Sequence, residues 1–141
     1  MPASEIYPQF EHLISGLRDL NLAYLHLVES RISGNADTET TEKVDPLLKV
    51  WGKDRGPVLL AGGFKPDSAK KAVESEYQDY KIAVVFGRLF LSNPDLPFRV
   101  LKGLALEKYN RNTFYTPESS IGYLDYPFSK EWESERERIQ V

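Results

Sequence analysis

Three short apolar runs, each ended by a polar or glycine break and parted by stretches of helical periodicity, limit this chain to few folds. The runs are Leu22-Ala23-Tyr24-Leu25-His26-Leu27-Val28, Val58-Leu59-Leu60-Ala61 and Ile82-Ala83-Val84-Val85-Phe86. Short apolar runs of this kind read as buried strands. Residues 4–19 carry Ile6, Phe10, Leu13, Ile14 and Leu17 at helical spacing and predict one buried stripe. Residues 45–51 and 66–77 read as helices with proline near the first turn, the second with Ala69, Ala72 and Val73 as its inner face. A further helix is expected over 94–102, with Asn93 as its N-cap, Pro94 at its first position and Gly103 as its C-terminal stop. An aromatic-rich tail then leads to a charged amphipathic helix over 129–141. Strands alternating with helices imply parallel pairing through right-handed crossovers. The expectation is an α/β fold in which Tyr24 and His26 share one strand face, and Leu25 and Leu27 the other.

Composition removes several functions. A chain of 141 residues is long enough for one domain with a real core. A net charge of −3 gives no global basic field, so neither nucleic acid nor a membrane surface is expected as a partner. The chain has no cysteine, which removes disulfides, thiolate metal sites and a cysteine nucleophile. Two histidines, His12 and His26, are too few and too far apart for a histidine-rich metal site. No apolar run approaches the roughly 20 residues of a membrane span. The first residues lack the basic-then-apolar order of a secretion signal. A cytoplasmic location is the expectation.

The chemistry is concentrated at two strand ends. Ala61-Gly62-Gly63 and Phe86-Gly87-Arg88 both fall at the carboxyl edge of a parallel sheet. Glycine lets backbone N–H groups approach a ligand closely, and arginine offers a permanent charge in a fork that suits phosphate oxygens. In β/α barrels a phosphate site commonly forms from the loops after strands seven and eight. The plainer reading stands beside it: a strand-end glycine is often a simple turn, and such an arginine a surface ion pair. His26 reads as a hydrogen-bonded core histidine, and Glu29 and Arg31 as structural ion-pairing groups, paired with each other or with a neighbouring helix. Tyr115, Tyr123 and Tyr126 read as packing and capping groups. There is no nucleophile–base pair and no metal-ligand spacing, so no catalytic or metal residue is assigned.

At these residues the chain resembles the old yellow enzyme family. The resemblance is carried by Leu22-Ala23-Tyr24-Leu25-His26-Leu27-Val28-Glu29, Ala61-Gly62-Gly63-Phe64 and Phe86-Gly87-Arg88-Leu89-Phe90-Leu91-Ser92-Asn93-Pro94-Asp95-Leu96. It continues through Tyr109-Asn110-Arg111-Asn112-Thr113-Phe114-Tyr115 and Gly122-Tyr123-Leu124-Asp125-Tyr126-Pro127. The fungal, ergot-alkaloid-type reductases are the most similar members. The resemblance implies an FMN-dependent (β/α)8 barrel that takes hydride from NADPH and reduces activated alkenes. It covers only the C-terminal part of that barrel. Residues 1–20 would be the helix before strand six, 21–104 three βα units, and 105–141 the tail and last helix, together one partial barrel over 1–141. By the same resemblance Ala61, Gly62 and Gly63, and Phe86, Gly87 and Arg88, would hold the FMN phosphate, with the Arg88 side chain clamping it. Phe114 and Tyr115 would close over the flavin and substrate pocket. Where many relatives carry asparagine, this chain has Gly63, which keeps a backbone donor and loses a side-chain contact. The loop after Arg31 would lie on the substrate side.

The family's ring-contacting residues, its substrate-anchoring histidine or asparagine pair and its tyrosine proton donor lie in strands one to five, without counterparts here. The expected role is therefore an FMN-phosphate-binding portion that is inactive alone. A non-catalytic phosphate- or nucleotide-binding module, or a truncated remnant without function, are the alternatives. The Met1-Pro2 start fits a short product, a shortened gene model or one half of a split enzyme. Three strands cannot close a barrel, and an open apolar edge is an aggregation hazard. Burying four barrel-facing side chains is worth roughly 6–12 kcal/mol, at about 1.5–3 kcal/mol each, which rivals the roughly 5–15 kcal/mol that stabilises a typical domain. A stable form should need a partner, either a complementary N-terminal half or another copy.

Overall fold

A computed structural model of the chain describes residues 3–29, 32–33, 36–37 and 43–139. They form two compact units, Met1–Val85 and Phe86–Val141.

The first unit opens with helix α1 (Ala3–Arg18), followed by strand β1 (Leu25–Val28). Two short strands, β2 (Ile32–Ser33) and β3 (Ala36–Asp37), pair antiparallel. Helix α2 (Asp45–Trp51), strand β4 (Val58–Ala61), helix α3 (Pro66–Lys71) and strand β5 (Ile82–Val84) complete the unit. β1, β4 and β5 form one parallel sheet with β4 at its centre. Leu25, Val58 and Ile82 share one register level, and His26, Leu59 and Ala83 the next.

The core lies on one side of that sheet. Leu25, Val58 and Leu60 are buried together with Ile14, Leu48, Trp51, Ala69 and Ala72. The Trp51 indole N–H donates to the Gly56 carbonyl at 2.9 Å, so the buried ring leaves no polar atom unpaired. Arg18 donates to the Val50 carbonyl at 2.6 Å and ties the end of α1 to α2. The expected stripe on α1 is only partly buried: Ile14 is inside, but Phe10 and Leu13 are 46% and 52% exposed. His26 is not a core residue either. It is exposed, because the face that it shares with Tyr24 and Val28 is left uncovered.

The helix expected over 66–77 changes its winding. α3 passes into a π-helical turn over Ala72–Glu76, closed by the Tyr77 N–H donating to the Ala72 carbonyl at 2.9 Å. One extra residue per turn puts Tyr77, five positions after Ala72, on the buried side. Val73, expected inside, is 43% exposed for the same reason.

The second unit holds helix α4 (Arg88–Ser92), helix α5 (Leu96–Lys102), a 3₁₀ turn over Arg111–Thr113 and helix α6 (Lys130–Ile139). Gly103 stops α5 with a left-handed φ of +66°, as expected. Asn93 and Pro94 do not start that helix. Asn93 follows α4, Pro94 lies between the helices, and Asp95 occupies the N-cap of α5. The fully buried Asn93 amide instead binds the tail: its N–H₂ donates to the carbonyls of Leu89 (2.8 Å) and Glu107 (3.1 Å), and its oxygen accepts the Glu107 N–H (2.8 Å).

Among the described residues, Leu96 is the only hydrophobic side chain buried in this unit, while Ser92, Asn93, Asp95, Arg99 and Ser129 are buried and polar. Arg99 donates to the Asp95 carboxylate at 2.7 Å and to the Ala105 and Pro127 carbonyls at 3.1 and 3.4 Å. The Ser129 backbone N–H reaches the other Asp95 oxygen at 3.0 Å, and its hydroxyl donates there too. That hydroxyl also caps α6 by accepting the Trp132 N–H at 3.2 Å. Hydrogen bonding, more than apolar burial, orders this unit. No described helix is long and apolar enough to cross a membrane.

Candidate functional site

In the first unit, Ala61, Gly62 and Gly63 form the carboxyl end of the central strand. Gly62 and Gly63 both have positive φ, +126° and +70°. Gly62 is also required by close approach. A Cβ there would stand 2.7 Å from the Glu29 carbonyl oxygen and 2.9 Å from its nitrogen. The Glu29 N–H donates to the Ala61 carbonyl at 2.9 Å, so the ends of β1 and β4 are locked backbone to backbone. Gly63 is exposed just beyond that lock.

Glu29 is 2% exposed, and its carboxylate accepts the Tyr77 hydroxyl at 3.2 Å. The same hydroxyl reaches the Asp45 carboxylate at 3.4 Å. Burial, then the charges of Glu29 and Asp45, push the Tyr77 phenol above its ordinary range, so it remains a protonated donor. This node joins the end of β1, the start of α2 and the π-helical turn. Glu29 was legible as a structural group. Tyr77 and Asp45 were not, because the π-helical turn that brings Tyr77 inward has no signal in the apolar spacing. Arg31, one of the two ion-pair partners considered for Glu29, lies outside the described residues, as does most of the loop after it.

In the second unit, the half-buried Phe86 leads into exposed Gly87, whose carbonyl accepts the N–H groups of Phe90 and Leu91 and starts α4. The space around the position of a Gly87 Cβ is open to 4 Å. Arg88 is the first residue of α4, and its guanidinium lies 5.2 Å from the centre of the Tyr109 ring. Arg111 lies 5.8 Å from the same ring. Tyr109 stacks on Phe114 with ring centres 5.7 Å apart, and Phe114 meets Tyr115 edge-on at 6.4 Å and Tyr123 at 6.2 Å. Arg88, expected on the phosphate, and Phe114 and Tyr115, expected over the flavin, belong to one connected cluster of rings and cations. Tyr109 joins two of the expected residues. Its place in an aromatic-rich motif was the available signal.

Tyr115 is 90% exposed and holds a left-handed φ of +59°. That conformation is uncommon for a bulky side chain. It is held by the Tyr115 N–H donating to the Tyr123 hydroxyl at 3.0 Å. The Tyr126 hydroxyl accepts the Asn110 N–H at 2.8 Å. Tyr123 and Tyr126 thus cap backbone, as expected, while Tyr115 presents a ring to solvent. The second unit offers a permanent cation beside a flat aromatic surface, and the first offers a glycine turn.

Residues 6–107 match the model of the NADH:flavin oxidoreductase / NADH oxidase family. The chain is 50% identical over 142 aligned residues to a protein of Epichloe festucae var. lolii named "Probable inactive reductase easA", covering 97% of this chain and 37% of that protein. It is 51% identical over 126 residues to the "Chanoclavine-I aldehyde reductase fgaOx3" of Penicillium roqueforti (strain FM164), covering 89% of this chain and 34% of that one. Among solved structures, a variant of NCR from Zymomonas mobilis superposes with a TM-score of 0.72 at 29% identity, over 92% of this chain and 40% of that one. Morphinone reductase superposes with a TM-score of 0.70 at 31% identity, over 89% of this chain and 32% of that one. The chain thus spans little more than a third of the curated relatives it matches, and the fold is that of a partial old yellow enzyme barrel.

Proposed function

The chain belongs to the NADH:flavin oxidoreductase / NADH oxidase family, and from that premise we propose that it is an FMN-phosphate-binding portion of an NADPH-dependent reductase of activated alkenes, inactive alone. The observation that carries this reading is the Arg88 cluster: the guanidinium of half-buried Arg88, at the start of α4, lies beside the Tyr109 ring, which leads on through Phe114 to Tyr115. Its chemistry suits a ligand with a dianionic phosphate at one end and a planar ring at the other. At the backbone, the space that a Cβ would take at Gly87 is open, which leaves room for a ligand to approach there.

In this reading the Arg88 side chain holds phosphate oxygens with amide contacts from the Phe86 and Gly87 backbones, while the backbones of Ala61, Gly62 and Gly63 are the first unit's own candidates for such contacts. Phe114 and Tyr115 supply ring surface that shields the flavin from water. Bound FMN would supply hydride transfer from NADPH to the alkene. Among the described residues no substrate anchor is paired with a proton donor, which is why turnover is not expected from the chain alone. The name of the Epichloe relative favours a second reading, a module that binds phosphate without chemistry.

Absorbance and turnover test both readings. The purified chain is expected to retain flavin absorbance, and Arg88→Ala to weaken FMN binding about 10- to 100-fold, the loss of one charge-assisted contact of about 1.5–3 kcal/mol. An unchanged affinity in that variant would remove the clamp assignment. NADPH consumption with a simple enone should stay at the buffer rate for the chain alone. Measurable reduction would contradict the inactivity.

A further inference from the structure

Glu29 is pinned at two points. Its backbone N–H donates to the Ala61 carbonyl at 2.9 Å, and its carboxylate accepts the Tyr77 hydroxyl at 3.2 Å. Both residues are buried. A carboxylate taken out of water needs donors. The Tyr77 phenol, pushed above its ordinary range by burial and then by the Glu29 and Asp45 charges, keeps the proton that it donates. The Gly62 backbone lies directly against Glu29: besides the main-chain atoms, a Cβ there would stand 3.0 Å from the Glu29 Cβ. Gly63 follows at a φ of +70° and is exposed. One hydrogen bond and one backbone contact thus separate the Tyr77 hydroxyl from the glycine turn. Tyr77 comes inward only through the π-helical turn over Ala72–Glu76, a rare winding that is frequent at functional sites. All of these groups belong to the first unit.

We propose that Tyr77 is a positioning residue: through Glu29 it fixes the Gly62–Gly63 turn in the conformation that offers backbone N–H groups to a phosphate. The inference rests on the FMN-phosphate reading above, and only on the first unit's share of it. An amide cradle is effective when its donors stand in place before the anion arrives. Two glycines have the freest backbone of any pair of residues, so the restraint on this turn has to come from its neighbours. Gly62 meets Glu29, and Tyr77 holds the side-chain end of Glu29. Asp45 accepts from the same hydroxyl at 3.4 Å, the longer of the two contacts, so Glu29 is the main partner. Removing the hydroxyl keeps the volume of the ring and takes a donor from the buried carboxylate. Glu29 then shifts to recover one, and the turn packed on its main chain loses its fixed geometry. Tyr77 itself touches no ligand. A merely structural Tyr77 would weaken every flavin alike by lowering the folded fraction. A positioning Tyr77 weakens only a flavin that carries the phosphate.

The test titrates the wild-type chain and Tyr77→Phe with FMN and with riboflavin, followed by flavin fluorescence. FMN affinity is expected to fall about three- to tenfold in Tyr77→Phe, the worth of one hydrogen bond, while riboflavin affinity stays unchanged. A wild-type chain that binds FMN no better than riboflavin, or binds neither, removes the phosphate reading and this inference with it. A wild-type preference for FMN that survives intact in Tyr77→Phe removes the inference alone, and so does a loss shared equally by the two flavins. If Tyr77→Phe does not fold, amide NMR of the wild-type chain decides. FMN, and not riboflavin, is then expected to shift the N–H signals of Gly62 and Gly63 together with those of Glu29 and Tyr77. Signals of Glu29 and Tyr77 that stay in place while the glycines shift contradict the coupling.

Discussion

Replacing Arg99 by alanine is expected to cost about 3–5 kcal/mol and to abolish a cooperative transition in the second unit. The reason is what the substitution leaves behind. The Asp95 carboxylate, bonded to the guanidinium at 2.7 Å, has no exposed side-chain surface. Stripping the cation from a buried pair strands a charge without water, which costs about that much. Net stabilities of roughly 5–15 kcal/mol leave little margin. Arg99 also holds the Ala105 and Pro127 carbonyls, so the tail loses its anchor in the same step. The denaturant midpoint is the readout, and a wild-type midpoint would show that the network is not what orders this unit.

The same network sets the acid limit. Burial raises the Asp95 carboxyl, but the bonds from Ser129 and Arg99 outweigh it and hold the group below its ordinary 3.8. A carboxyl lowered on folding stabilises the native state above its unfolded value, and that contribution is lost as pH falls through the folded one. Stability should therefore decline below about pH 4. In Asp95→Asn that part of the acid slope should be missing, at the expense of a lower plateau at neutral pH because Arg99 is then buried without its anion.

Gly62→Val has the second large effect. The φ of +126° is one that a β-branched residue avoids, and the new Cβ would be forced within 2.7 Å of the Glu29 carbonyl oxygen. Backbone strain of about 1–3 kcal/mol adds to overpacking of about 1–3 kcal/mol. The obstacle is backbone, not the end of a flexible side chain, so relief requires β1 and β4 to part at the Glu29–Ala61 hydrogen bond. A fall in melting temperature of well over 5 °C is expected, since about 1 kcal/mol moves a domain of this size by several degrees. A Gly62→Val protein that melts with the wild type would show that the strand ends are not locked as described.

The two strand-end motifs and the strand over 58–61 were legible because apolar runs ended by glycine have few alternative readings. Where sequence reasoning failed, the deciding partner was remote. Asn93 looked like a helix cap because it precedes proline. Its amide is instead taken by Glu107, fourteen residues later, a pairing with no local trace. The exposure of His26, Phe10 and Leu13 was hidden for a related reason: an alternating or helical pattern says which residues share a face, not whether anything covers that face. The π-helical turn escaped because one added residue shifts the inward positions without changing composition. At the candidate site, the glycines and Arg88 were named from their spacing, while Tyr109, which joins Arg88 to Phe114, was quoted within its motif and given no role.

Parallel titration of the chain with FMN and with riboflavin, which differ only in the terminal phosphate, tests the central claim most directly. The account predicts that FMN binds about 10- to 100-fold more tightly, the worth of one arginine–phosphate contact. Equal affinity for the two flavins, or binding of neither, would contradict it.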